Sequence, residues 1–204
     1  MDSSPRGVLI LDIDGSINPF FARSTLEISP EKLPGFEEHF LRDPSYGDAR
    51  VFLQTAVLRA ALLRLRELDI ELVWGSAWNE SSNLILRMLF PGGMENAPTV
   101  VFPDEMDFSF SIQSWKLATV REFIEARYAD SVPLIWIDDE IFGDAEEWLR
   151  SRSARSYLLR PERHRGATAE DWSSILSFVE SLDQKREGSW HARDLAGSHS
   201  FWGE

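Results

Sequence analysis

The chain has 204 residues, 43% of them hydrophobic and 27% charged, which suits one sizeable α/β domain with a real core and demands no second one. It contains no cysteine, so disulfides and thiolate metal sites are excluded. A formal net charge of −13 sets the average surface against nucleic acid and anionic membranes unless a local patch overrides it.

Met1-Asp2-Ser3-Ser4-Pro5 is polar, and the apolar run behind it is too short for a signal peptide or a membrane span. The expected setting is the cytoplasm, with no membrane partner. Val8-Leu9-Ile10-Leu11 then reads as a strand buried on both faces, the kind found inside a parallel sheet. Asp12 and Asp14 follow with a strand's period of two, and Gly15 lets the chain turn sharply beside them. Two acids thus stand at the carboxyl end of a central strand, where open α/β sheets place their ligands.

Between Asn18 and Arg50 the prolines and turn residues predict loops, a short hairpin around Phe20–Ile28 and at most one short helix near Phe36–Leu41. Phe20, Phe21, Phe36 and Phe40 are expected to fold this segment over the sheet. Helical spacing predicts a helix from Val51 to Leu68, and Ile70–Trp74 a second strand ending at Gly75-Ser76. A helix from Asn79 runs to the Pro91-Gly92-Gly93 stop, and a third strand is expected at Thr99–Phe102. Residues 103–111 read as loop. Ser114 is placed as the cap of a helix reaching Arg127, with Lys116 in its first turn. Pro133–Ile137 is a fourth strand ending on Asp138-Asp139-Glu140, Asp144–Arg152 a helix, and Ser156–Leu159 a fifth strand. Arg160–Gly166 is a basic loop. Thr168 with Asp171 three later resembles a capping box before a helix through Leu182. The domain is expected to span residues 1–183, and the tail 184–204 receives no assigned structure.

Strands alternating with helices at this spacing predict a three-layer α/β sandwich around a parallel five-stranded, Rossmann-like sheet. All strands then point one way, so Asp12, Asp14, Ser76, Asp138 and Asp139 share one rim, and Lys116 lies at an edge that can face it. Two carboxylates about 4 Å apart repel by roughly 4 kcal/mol at an effective dielectric near 20. Such a group requires raised pKa values or a cation among the acids. Hard oxygen ligands without histidine or cysteine favour Mg²⁺, which readily takes a phosphate into its shell. An aspartate in that setting can attack phosphorus, and a second one two residues on can give and take a proton. Ser76 would hold a phosphoryl oxygen and Lys116 would offset its charge.

Asp12-Ile13-Asp14-Gly15-Ser16 after an apolar strand resembles motif one of the haloacid dehalogenase (HAD) superfamily, DxD followed by Gly and usually Thr or Val. The strand ending at Ser76 resembles motif two, Lys116 motif three and Ile137-Asp138-Asp139 motif four, in the family's order. Leu72–Trp78 with Asn83, Trp136–Glu140 with Trp148, and Gly166-Ala167-Thr168 look closer still to a small bacterial HAD branch associated with modular RNA-repair proteins. The resemblance implies a Mg²⁺-dependent phosphatase. Asp12 would be the nucleophile and a metal ligand; Asp14 would be the acid and base, with its backbone carbonyl on the metal. Ser76 and Lys116 would bind and steady the phosphoryl group, and Asp138 or Asp139 would complete the metal site. Ser16 and Ser76 stand where threonine is common, and serine keeps the hydroxyl. The family's dehalogenases lack the second aspartate, so Asp14 favours phosphoryl transfer.

Neither gap between these motifs accommodates a full cap domain, so the expected type is capless and open. Such a site suits a phosphorylated substrate that is large, a polynucleotide (RNA or DNA) end or a phosphoprotein. The competing reading is a catalytically weak or inactive phosphate-binding or protein-interaction module that keeps the fold. Trp78, just past Ser76, is the candidate for stacking on a substrate. Arg160–Arg165 is read either as an anion-binding loop or as solvated arginines.

Overall fold

The computed structural model describes residues 4–19, 35–43, 47–94, 96–103, 114–183 and 191–194. The central strand β1 (Gly7–Leu11) is buried along its whole length. It pairs in parallel with β4 (Ile70–Trp74) on one side and with β5 (Leu134–Ile137) on the other. Beyond β5 lies β6 (Ser156–Arg160), also parallel. These four are the strands the spacing predicts. His191–Asp194, in the tail to which the sequence assigns nothing, pairs with β6 as β7, giving the order β4-β1-β5-β6-β7.

The two-residue period of these strands divides the core into two layers. Leu9, Leu11, Trp74, Ile135, Ile137, Tyr157 and Leu159 face one side and pack with α1 (Thr55–Glu67), α2 (Asn83–Leu89) and α5 (Ala169–Glu180). Val8, Ile10, Val73, Leu134, Trp136 and Leu158 face the other and pack with α3 (Leu117–Arg127) and α4 (Gly143–Ser151). A sheet covered on both faces requires strands apolar at every position, which is why β1 and β5 carry no alternation of polarity. Thr168 and Asp171 form the expected capping box at the start of α5, the Asp171 N–H donating to Thr168 Oγ1 at 3.3 Å and the Thr168 N–H to Asp171 Oδ2 at 2.9 Å.

Three expectations are corrected. Phe36–Leu41 is not helical: β2 (Glu37–Asp43) and β3 (Gly47–Leu53) form an antiparallel hairpin, and α1 begins at Thr55 rather than Val51. Opposite charges face each other across this hairpin, Glu38 with Arg50 and Arg42 with Asp48, while Leu41, Val51 and Leu53 turn into the core. Phe40, expected to cover the sheet, is 74% exposed. Phe20, Phe21 and the hairpin proposed for Phe20–Ile28 lie outside the described residues, as does most of 103–111. Second, Thr99–Phe102 makes only a single bridge, Thr99 to Trp74. The segment is drawn off the sheet edge by Asn79, which accepts from Phe102 N–H at 2.7 Å and donates to its carbonyl at 3.1 Å. Third, Ser114 does not cap α3. Lys116 stands at the N-cap position, and Ser114 is engaged elsewhere.

Candidate active site

Parallel strands bring the turns after β1, β4 and β5 to one rim. Asp12 N–H donates to the Ile137 carbonyl at 3.0 Å and Gly75 N–H to the Leu11 carbonyl at 2.9 Å, so these turns are stitched together by main chain. The β1 turn is tight, because the N–H groups of Ser16, Ile17 and Asn18 all reach the Ile13 carbonyl. Gly15 is required twice over. Its φ is +75°, and a Cβ there would sit 2.3 Å from the Asp139 carboxylate carbon.

Lys116 Nζ lies 3.0 Å from Asp12 Oδ1 and 2.8 Å from Asp138 Oδ2, and all three side chains are almost completely buried. Asp138 Oδ1 accepts the Glu140 N–H at 2.8 Å, so both of its oxygens have partners. Asp139 meets Arg163 Nε at 3.2 Å through Oδ2, while its Oδ1 is buried with no hydrogen-bond partner among the described residues. Asp12, Asp138 and Asp139 offer carboxylate oxygens that all lie within 4.8 Å of one another. Burial pushes the Asp12 carboxyl well above the usual range; Lys116 opposes this, and Asp138 and Asp139 add to it. Burial and then the Asp138 charge push Asp139 up to about 7, with Arg163 working the other way. Burial disfavours the Lys116 ammonium, but Asp12 and Asp138 outweigh it and hold the amine protonated beyond its ordinary range.

The Asp14 side chain stands apart from the three-acid group. Its Oδ1 accepts from Asn18 Nδ2 and its Oδ2 from Trp78 Nε1, each at 2.7 Å. Ser76 is buried at the end of β4, its Oγ 3.5 Å from the Trp78 N–H. Gly75 allows this approach, since a Cβ there would lie 2.7 Å from a methyl of Ile10. Ser16 Oγ is buried without a partner among the described residues, and the Ser16 carbonyl takes the Ala167 N–H at 2.6 Å, which docks the basic loop against the β1 turn.

The six side chains expected from sequence therefore reach the same rim, with Asp14 facing neutral donors. Sequence reading missed three supports. Arg163, though its side chain is 46% exposed, is committed to the rim, pairing with Asp139 and, at 3.0 Å, with Glu140. Glu140 also accepts from Trp115 Nε1 at 2.9 Å. Ser114 donates from Oγ to Asp144 at 2.6 Å and accepts the Phe142 N–H at 2.7 Å, tying the approach to Lys116 to the start of α4. A buried-strand acid pair flanked by Glu140 and a downstream arginine is a charge pattern that could have suggested the first of these.

A family model described as the HAD domain in Swiss Army Knife RNA repair proteins matches residues 8–172. The chain belongs to this family. No curated protein and no solved structure matches it. HAD membership suggests phosphoesterase-type hydrolysis and a divalent metal, and the donor set fits one: oxygen ligands only, an excess of buried negative charge and an unpartnered Asp139 oxygen. Among the described residues no helix is long and apolar enough to cross a membrane.

Proposed function

We propose that this HAD domain is a Mg²⁺-dependent phosphomonoester hydrolase that works through a phospho-aspartyl intermediate on Asp12. One observation carries the reading: Asp12, Asp138 and Asp139 bring carboxylate oxygens within 4.8 Å of one another, Lys116 pairs with the first two, and Asp14 is held by Asn18 and Trp78 instead. Asp12 and Asp139 would hold the ion together with the Asp14 main-chain carbonyl, and the bound cation would screen the phosphoryl oxygens from these carboxylates. Asp138, whose two oxygens are already taken, instead orients Lys116.

In the first half-reaction an Asp12 oxygen bonds to phosphorus as the ester P–O bond breaks, and Asp14 gives its proton to the leaving oxygen. In the second, Asp14 takes a proton from water as that water's oxygen bonds to phosphorus. The acyl-phosphate bond breaks, freeing Asp12 and inorganic phosphate. Lys116 offsets charge on the phosphoryl oxygens and Ser76 Oγ donates to one of them.

A rim without a full cap domain, as the short gaps between the motifs imply, would suit a large phosphorylated substrate, a polynucleotide end or a phosphoprotein. Turnover of p-nitrophenyl phosphate should require Mg²⁺ and vanish in Asp12→Asn, and metal-independent turnover that survives Asp12→Asn would reject the proposal. A panel of RNA and DNA bearing 3′ or 5′ phosphate, phosphopeptides, nucleotides and sugar phosphates, at stated salt, then ranks substrates by kcat/KM.

A further inference from the structure

The acids of this rim are partnered in two different ways. Asp12 and Asp138 share the Lys116 ammonium, and Asp139 faces the Arg163 guanidinium. Among the described residues Asp14 has only neutral donors, the Asn18 amide on one oxygen and the Trp78 indole N–H on the other, each at 2.7 Å. Two N–H donors, one on each oxygen, fix the direction of the carboxylate, and each oxygen keeps a lone pair on which a proton can sit.

Both donors are themselves anchored. Asn18 Oδ1 accepts the Phe52 N–H at 2.9 Å, so its amide is oriented by β3, and the Asn18 carbonyl takes the Gly15 N–H at 2.8 Å. The Trp78 ring packs against the larger core cluster, which leaves the indole N–H as its polar contact with the rim. The direction of the Asp14 carboxylate is thereby set by the β1 turn, the hairpin and the turn after β4.

We propose that Trp78 and Asn18 are positioning residues for proton transfer. They hold Asp14 so that its proton passes to the leaving oxygen as the ester bond breaks and the Asp12–phosphorus bond forms. Trp78 acts through its indole N–H and not as a platform for substrate. This rests on the phosphatase reading of Asp14.

The test exploits the leaving group. A nitrophenolate departs with little help from an acid, whereas an alkoxide needs its proton. In the first half-reaction, which alone sets kcat/KM, a misdirected acid therefore penalises only the alkyl ester, while the hydrolysis of the phospho-aspartate is common to both. With Mg²⁺ present, Trp78→Phe keeps the ring and removes the N–H. It should lower kcat/KM for propyl phosphate about tenfold or more, the worth of one hydrogen bond to a charged group. The loss of kcat/KM on p-nitrophenyl phosphate should stay within about twofold. In an Asp14→Asn background the same substitution should have no further effect. Independently of turnover, the Trp78 indole ¹⁵N–¹H signal, assigned by its loss in Trp78→Phe, should move in Asp14→Ala.

Equal losses of kcat/KM on both esters, an undiminished effect in Asp14→Asn, or an indole signal indifferent to Asp14 would each overturn the positioning role. Absence of turnover by the unsubstituted chain on both esters would instead overturn the phosphatase reading, and this step with it. That outcome is visible before any substitution is made.

Discussion

Lys116 is the residue on which the site's electrostatics turn, since two buried carboxylates share its ammonium. Lys116→Met leaves Asp12 and Asp138 buried without a counter-charge, which typically costs about 3–5 kcal/mol. Urea denaturation of the metal-free protein should show a loss of that order, and added Mg²⁺ should recover part of it. Gly15→Ala should be damaging for a different reason, a left-handed φ combined with a Cβ driven into the Asp139 carboxylate. Calorimetry should show weaker Mg²⁺ binding by this variant. The pH dependence follows from Asp139, whose folded value near 7 lies above the ordinary carboxyl value. From that ordinary value up to about 7, the folded state keeps a proton that the unfolded chain has released. Stability from this group is therefore fully present at low pH and is lost as pH rises through that window. Melting of the metal-free protein between pH 5 and pH 8 should fall more steeply than for Asp139→Asn, and saturating Mg²⁺ should flatten the difference.

At this scale the acids and Lys116 were legible because each sits a fixed step beyond a strand end or at a helix start, and parallel topology carries those positions to one rim. Arg163 and Asn18 were not. Where a loop arginine points, and which carboxylate an asparagine amide meets, depend on how distant turns dock. Nothing in local spacing records that.

Elements follow the same division. Strands buried on both faces declare themselves through unbroken apolar runs, and the α5 cap through Thr168 and Asp171. Thr168→Ala should cost about 1 kcal/mol in global stability, measured by chemical denaturation. The hairpin departs from the expected short helix because Phe36 and Phe40 stand four residues apart, a spacing that a helix also satisfies. Cross-strand charge pairing and burial of Leu41 decided for the strand. Ser114 shows how a long-range partner can displace a local one: the side chain expected to cap α3 clamps Asp144 instead. Asp144→Asn removes the charge from this bond and leaves a weaker acceptor, so a loss of about 1–2 kcal/mol is expected on denaturation.

For the molecule as a whole, one sheet does two jobs. Its interior positions hold the helices on both faces, and the carboxyl ends of its strands gather acids that would repel one another if no cation were near. In a chain with a net charge of −13, three carboxylates gather at the rim, where Lys116 and Arg163 offset only part of their charge. In the proposed mechanism stability, metal affinity and reactivity depend on the same few side chains, and Asp12 is the one that becomes covalently modified. The most direct measurement is therefore peptide mass spectrometry after acid quench during turnover of p-nitrophenyl phosphate with Mg²⁺. The account predicts a phosphoryl group on the peptide containing Asp12, absent without Mg²⁺ and absent in Asp12→Asn. Turnover with no phosphorylated Asp12, or with the phosphoryl group on another residue, would contradict it.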